Sequence, residues 1–290
     1  MNSAELVVAA ARFLTLGGAM FLWGAALYLA AGVSGPLRGY VWQRLTPLRQ
    51  LALAGLVLAL IVVVPAHAVV IAGDWARGLD PALMWRVATA TTIGTSWLVQ
   101  VGFTLLLLLI WRRGPIWTAL GSAGVLLGQV MTGHAASGDG VGGFAHQAVD
   151  LLHMLTAGAW FGALVPLAIM LAGVPDGLRA QRIPALIRFS TAGHIIVALV
   201  FASGLTNAAL VLDSLWLDPG VPYQALILTK IAVFGAMVVL AFVNRYVVVP
   251  RLRHHHGAER ALTIGTVTEI GLATLALLAT AFLGMLNPTG

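Results

Sequence analysis

Long apolar runs separated by short polar connections are the dominant pattern along this chain. An α-helix needs about 20 mostly apolar residues to cross the hydrocarbon core of a bilayer. Eight runs meet this requirement: 6–31, 51–73, 88–111, 116–132, 147–172, 186–212, 223–249 and 262–286. The runs are continuous and lack the short alternating segments of a transmembrane β-barrel. The pattern therefore predicts an all-α, polytopic membrane protein built as a bundle of eight transmembrane helices.

The connections between the apolar runs are short, and several carry turn-forming pairs such as Gly114-Pro115. No connection is long enough to separate two domains. At the N-terminus, Glu5 stands where a cleaved signal peptide would carry basic residues, and the first run is too long for such a peptide. We therefore interpret that run as a retained helix and predict a single integral membrane domain over residues 1–290.

Composition supports the membrane interpretation and limits the chemistry. Hydrophobic residues make up 60% of the 290 positions and charged residues only 9%, whereas soluble domains carry about 25% charged residues. This excludes an ordinary soluble fold, and so much apolar sequence also excludes disorder. The chain has no cysteine, which excludes disulfides, iron–sulfur clusters and thiolate sites. A metal would have to bind His, Met, Asp, Glu or backbone oxygen.

The basic residues predict how the chain is oriented. Eleven arginines lie in the connections after the first, third, fifth and seventh runs, and two lie in the alternate connections: Arg38, Arg44, Arg49, Arg112, Arg113, Arg179, Arg182, Arg188, Arg251, Arg253 and Arg260, against Arg77 and Arg86. Basic connections stay on the cytoplasmic side, so both termini are predicted to be periplasmic. The net charge of +6 then reflects these connections and gives no reason to expect nucleic acid as a partner.

Four histidines converge on the outer side of the predicted bundle. They come from three different runs: His67, His134, His146 and His153. Ionisable residues inside a membrane are expensive and usually functional. Met131 lies three residues before His134, on the same helix face. This convergence is the main functional signal that we find in the sequence.

The spacing of these residues points to copper. His146, Asp150 and His153 lie at i, i+4 and i+7, so they share one helix face. Imidazole together with thioether suits copper, with the thioether favouring Cu(I). A carboxylate beside a ligating histidine commonly fixes its tautomer, which is the role predicted for Asp150. Simpler interpretations stay open: an interfacial histidine can be an anchor, Met131 can pack in the core, and Asp150 can cap a helix.

A second polar pair is predicted nearer the cytoplasmic side. His194 lies in the sixth run and Glu269 in the eighth, each a few turns from the inner end. They can form a hydrogen-bonded pair, line the inner half of an ion or proton path, or only hold helices together.

Gly158 and Gly162 form a small-xxx-small pattern, which lets a neighbouring helix approach closely.

Several motifs resemble the copper resistance protein D (CopD/PcoD) family. They are Thr132-Gly-His134-Ala-Ala, Asp150-Leu-Leu-His153 with Gly-Ala-Trp160-Phe-Gly162, Phe189-Ser-Thr-Ala, Ser203-Gly-Leu-Thr-Asn207, Pro222-Tyr223, Lys230, and Asn244-Arg-Tyr through Pro250-Arg-Leu252. The region most similar to the family core is 131–252. Gln224 departs from the glycine expected after Pro222-Tyr223, and the chain has no Met-rich loop.

The resemblance implies a copper homeostasis protein of the bacterial inner (plasma) membrane that moves copper inward. The family's outer histidines fall on His134 and His153. Under this interpretation a copper ion is bound and taken up through a His/Met site on the periplasmic side. The partners would be the lipid bilayer and a periplasmic copper-binding donor protein.

Two other functions fit the same residues. Two histidines on facing helices at one depth can ligate haem b, so His67, His134 and His153 allow a b-type electron carrier. A non-transporting factor that delivers metal to another membrane protein is the third interpretation. The chain has neither a P-loop nor a Rossmann fingerprint, so a bound nucleotide is not expected. We expect a binding and transport protein and not an enzyme.

Overall fold

The computed structural model describes residues 2–132, 140–212, 216–251 and 257–286. Within these ranges every regular element is helical. The α-helices are α1 (Ser3–Ala31), α2 (Gly35–Arg44), α3 (Thr46–Ala72), α4 (Trp75–Gly78), α5 (Pro81–Ala90), α6 (Thr92–Ile110), α7 (Pro115–Gln129), α8 (Gly140–Ala172), α9 (Arg179–Val211), α10 (Pro222–Val243), α11 (Val249–Arg251) and α12 (Ala258–Leu283). A 3₁₀ turn, Asp176–Leu178, precedes α9, and a π-helical turn, Asn244–Val248, joins α10 to α11.

Seven segments of the described chain are long and apolar enough to cross a membrane: α1, α3, α6, α8, α9 with its 3₁₀ turn, α10 with the π-helical turn and α11, and α12. The all-α prediction is therefore confirmed. The remaining predicted span, 116–132, corresponds to α7, which has 15 residues. At 1.5 Å per residue α7 rises about 22 Å, less than the hydrocarbon thickness of about 30 Å.

The predicted run 88–111 is divided in the structure. Thr91 has extended backbone angles, φ −127° and ψ 159°, and its Oγ accepts a hydrogen bond from the Gly94 N–H at 3.1 Å. A threonine in this geometry caps a new helix, so α5 ends and α6 begins there. The apolar pattern continues across the break, which is why hydropathy did not reveal it.

Helix α1 lies in the centre and packs against α3, α7, α8 and α12. Its contact with α8 is a close crossing of glycines. A Cβ added to Gly24 would lie 2.0 Å from the carbonyl oxygen of Gly158, and one added to Gly162 would lie 2.7 Å from the Gly24 Cα. Side chains other than hydrogen do not fit between these backbones. The close approach predicted from Gly158 and Gly162 is confirmed.

Helix α7 is held by α1 on one side and by polar side chains of α6 on the other. The Gln129 amide donates to Gln100 Oε1 at 2.9 Å, and the Gln100 amide donates to Ser96 Oγ at 2.8 Å. Ser96 Oγ in turn donates to the Gly128 carbonyl at 2.7 Å. This chain of hydrogen bonds fastens the outer end of α7 to α6.

Arg49 anchors the inner ends of three helices. The sequence places it in a basic connection, whereas the structure buries it in the first turn of α3, with 5% of its surface exposed. Its Nη2 donates to the Trp111 carbonyl oxygen at 2.7 Å. The guanidinium also lies 3.5 Å from the centre of the Trp42 ring, a cation–π arrangement. Arg49 thus joins α2 and α3 to the end of α6.

Helices α9 and α10 lie at the edge of the bundle. α9 packs mainly on α8, and α10 packs mainly on α12. Many of their apolar side chains are exposed or half-buried, for example the exposed Ile195 and Val239. A helix that is apolar all round and unburied by protein is suited to contact with lipid. These two helices provide several of the polar residues described below.

Candidate functional site

His153 lies on α8 and faces α9. Its Nδ1 is 3.1 Å from Ser203 Oγ, and its ring packs against the Cα of Gly204, where a Cβ would lie 3.1 Å from Cε1. The single hydroxyl proton of Ser203 is directed to the Leu199 carbonyl at 2.5 Å. Ser203 Oγ therefore accepts from His153, and the hydrogen-bond network assigns the imidazole proton to Nδ1. This leaves the lone pair of Nε2 for another ligand.

Asp150 lies one turn from His153 towards the N-terminal end of α8. Its Oδ1 accepts a hydrogen bond from the Asn207 amide at 3.2 Å. The carboxylate also interacts electrostatically with Lys230, His146 and Arg12. Asp150 therefore joins α1, α8, α9 and α10, which is a wider role than the predicted one of orienting a histidine.

Arg12 is a residue of the candidate site that the sequence did not single out. Its guanidinium lies where a side chain on Gly284 would be, because a Cβ there would fall within 2.4 Å of Cζ. It interacts with Asp150 and also lies beside His67. Its buried Nε has no hydrogen-bond partner among the described residues. The signal was present in the sequence as the only charged residue within the first apolar run.

The structure places the predicted copper ligands as follows. His67 lies on α3 near Arg12, His146 lies on α8 one turn outward from Asp150, and Met131 follows the end of α7. His134 lies outside the described residues. Within the described ranges, no three His, Asp or Glu side chains come close enough together to hold a metal ion. The complete His/Met site stays a prediction.

Positive charge outweighs negative charge in this outer cluster, which we define as Arg12, His67, Asp150, His153 and Lys230. Two cations, Arg12 and Lys230, interact with one carboxylate, Asp150. His67 lies beside Arg12, and His153 lies beside Lys230. A cation placed at either histidine would be repelled by the neighbouring Arg12 or Lys230, and Asp150 is the group that reduces this repulsion.

The polar residues towards the opposite end of the bundle form two separate groups. Glu269 on α12 is buried, with 4% of its surface exposed. It accepts hydrogen bonds from the Asn244 amide, at 2.9 Å, and from the Trp160 side chain. His194 is exposed, and its Nε2 lies 3.1 Å from Tyr246 Oη.

The hydrogen-bonded pair of His194 and Glu269 that the sequence suggested is therefore not formed. The reason is helix order: α9, which carries His194, packs on α8, while α12 packs on α8 and α10. His194 Nδ1 lies 3.0 Å from the Ser190 carbonyl oxygen in its own helix. Nearby, Arg245 donates to the Ser190 hydroxyl and so joins the π-helical turn to α9.

Similarity to known proteins extends over nearly the whole chain. It is 33% identical to copper resistance protein D of Pseudomonas syringae pv. tomato, covering 96% of both chains. The protein belongs to the copper resistance protein D family. Residues 1–144 match the family model described as the copper resistance protein D-like N-terminal domain, and residues 183–283 match the one described as copper resistance protein D. The resemblance drawn from the sequence motifs is confirmed.

Two further similarities concern the location of a relative and the fold. The chain is 30% identical to the inner membrane protein YebZ of Escherichia coli (strain K12), over 84% of this chain and 85% of that one. The structure resembles the bd oxidase of Geobacillus thermodenitrificans with a TM-score of 0.58 and 12% identity, covering 98% of this chain and 86% of that one. At 12% identity, the similarity to the bd oxidase concerns the fold alone. Together with the seven long apolar helices, the relatives establish a multi-pass membrane protein.

Proposed function

We propose that this protein binds copper in the outer half of its helix bundle and carries it across the bacterial inner membrane. The observation that carries the proposal is the full-length similarity to copper resistance protein D. The concentration of polar side chains around Asp150, from four different helices, supports it. In this proposal the protein acts as a carrier and not as an enzyme.

The copper-binding atoms are proposed from the chemistry of the side chains. His153 offers Nε2, because its Nδ1 bonds to Ser203. His134 and His146 supply further imidazole nitrogens, Met131 supplies a thioether, and His67 approaches from α3. Such a soft donor set suits Cu(I). We propose that Asp150 offsets the charge of Arg12 and Lys230 when the ion arrives.

Removing the outer histidines should remove the bound copper. We expect His134→Ala and His153→Ala each to lower the copper retained by the purified protein by about tenfold or more, since even outer-shell changes cost about 10–100-fold at metal sites. Metal content measured by mass spectrometry after dialysis checks this. His194→Ala is the matched control, because His194 lies near the opposite end of the bundle and should leave binding intact. Unchanged copper in a folded His134→Ala/His153→Ala variant would contradict the proposed site.

Copper binding is also distinguished from haem binding by the absorption spectrum of the same samples. The proposal predicts no Soret band in protein purified from cells supplied with haem. A Soret band that disappears in His153→Ala would show instead that the outer histidines ligate haem. The spectrum therefore separates the proposed carrier from the b-type electron carrier that the histidines also allow.

The proposed orientation places both termini in the periplasm, with α7 as the eighth crossing. The eleven-to-two distribution of arginines supports this orientation. Reporter fusions at Gly290 and at Arg182 should then report opposite compartments, periplasmic for the first and cytoplasmic for the second. Fusions reporting the same compartment would contradict the eight-crossing topology.

A further inference from the structure

Glu269 is a buried carboxylate that is not part of the proposed copper site. It lies in the middle of α12, about 16 Å along the helix from Ala258. Its side chain enters the space between α8, α10 and α12, where Trp160 and Asn244 contact it. An ionised carboxylate in the membrane interior is expensive unless a cation accompanies it.

No cation accompanies Glu269 among the described residues. On α12 itself, Glu259 and Arg260 lie near the inner end, and Glu259 pairs with Arg182. The titratable and charged residues of the elements packed on α12 lie elsewhere. These are Glu5, Arg12 and Tyr28 on α1, His146, Asp150 and His153 on α8, Tyr223 and Lys230 on α10, Arg245 and Tyr246 in the π-helical turn, and Arg251 on α11.

These residues either contact other partners or lie at other depths in the bundle. Tyr28 donates to the Ala185 carbonyl, Arg245 donates to Ser190, and Tyr246 contacts His194. Arg12 and Lys230 belong to the outer cluster. Glu269 is therefore left with neutral partners, and both of them donate hydrogen bonds.

The hydrogen-bond donors around Glu269 determine which ion the site suits. A metal cation needs several oxygen, nitrogen or sulfur lone pairs, and here both neighbouring groups direct N–H bonds at the carboxylate. The Asn244 amide is also confined by α12, since a Cβ on Gly265 would lie 2.5 Å from its oxygen. A proton needs a single carboxylate lone pair. The surroundings of Glu269 therefore suit a carboxyl group that gains and loses a proton.

The position of Glu269 connects it to the helices of the outer site. Trp160 lies on α8 seven residues from His153, about 10 Å along the same helix. Asn244 begins the π-helical turn, and the next residue, Arg245, bonds to Ser190 of α9. α8 and α9 are the helices that hold His153 against Ser203. π-Helical turns are frequent at functional sites.

We infer that Glu269 is a proton-binding site and that copper transport by this protein is coupled to its protonation. The coupling rests on the proposed function. The carboxyl group releases its proton to water on the cytoplasmic side and leaves the carboxylate, which takes a proton again later in the cycle. The hydrogen bonds of Trp160 and Asn244 strengthen on the charged form and so bias the packing of α8 and α10 against α12.

Infrared difference spectroscopy tests the proton site without any transport. Between acidic and alkaline samples of the whole protein in lipid nanodiscs, we expect the C=O stretch of a protonated, buried carboxyl group to disappear. Glu269→Gln should abolish this band, and Glu259→Gln, on the exposed end of the same helix, should keep it. Trp160→Phe removes one donor and should move the band to higher frequency. A difference spectrum of folded Glu269→Gln that is identical to that of the wild type, or no band in the wild type, would overturn the proton site.

Copper uptake into proteoliposomes under an imposed pH gradient tests the coupling. The initial rate of the wild type should change with the gradient, up to about tenfold per pH unit, the limit for one proton. Glu269→Gln should lose this dependence, and Glu259→Gln should retain it. Gradient-dependent uptake by Glu269→Gln would overturn the coupling. If the wild type takes up no copper, the proposed function fails and the coupling with it, while the infrared band still decides the proton site.

Discussion

Replacing Gly162 with leucine should lower the free energy of unfolding by about 3 kcal/mol or prevent folding altogether. A Cβ at this position would lie 2.7 Å from the Gly24 Cα, the Ala25 nitrogen and the Met20 carbonyl oxygen. These are backbone atoms, so no side chain can rotate out of the way, and α1 must move from α8. Overpacking of this kind costs about 1–3 kcal/mol where the surroundings can adjust, and here they are rigid.

The measurement is unfolding in mixed detergent micelles, followed by tryptophan fluorescence. Gly235→Leu on α10 is the matched control, because nothing lies within 4 Å of a Cβ at that position, and it should change stability little. Equal stabilities of the two variants would show that the glycine crossing of α1 and α8 does not hold the bundle together.

Asp150→Asn should have the largest effect of any substitution in the outer cluster. It removes the carboxylate and leaves Arg12 and Lys230 as two neighbouring cations without a counter-charge. Leaving a charge inside the bundle without the opposite charge that attracts it costs about 3 kcal/mol or more. Copper binding should fall as well, since the surroundings become more repulsive to a cation.

A second substitution tests whether unbalanced positive charge causes the loss of stability. Lys230→Gln added to Asp150→Asn removes one of the unbalanced cations, so it should restore part of the lost stability, and the non-additivity measures the interaction. Asp74→Asn is the control: Asp74 pairs with Arg77 at the exposed surface, 3.5 Å apart, where such pairs contribute at most about 1 kcal/mol. If Asp150→Asn destabilises no more than Asp74→Asn, the charge cluster does not stabilise the fold.

The sequence predicted the helical membrane architecture because burial in lipid demands long apolar runs. It did not reveal the break at Thr91, where a single side-chain hydrogen bond caps α6 inside a continuous apolar pattern. It also extended the fourth span beyond Gln129, where α7 ends. The break at Thr91 arises from a local hydrogen bond, to which hydropathy is insensitive.

For the candidate site, the sequence identified polar residues but not their partners. His153 and Asp150 were singled out, and the structure adds Ser203, Asn207, Lys230 and Arg12 around them. His194 and Glu269 were considered as a pair because of their similar depth. Depth can be read from position along a run, whereas helix order cannot, and here α12 packs mainly on α10, α8 and α1, while α9 packs mainly on α8.

Copper uptake by the whole protein in proteoliposomes tests the central claim most directly. Vesicles containing the wild-type protein are given Cu(I) outside, and the copper trapped inside is measured over time by mass spectrometry, against empty vesicles and vesicles with folded His134→Ala/His153→Ala. The proposed function predicts saturable uptake by the wild type and uptake by the double variant that matches the empty vesicles. Wild-type uptake no faster than that of empty vesicles, or equal uptake by the double variant, would contradict it.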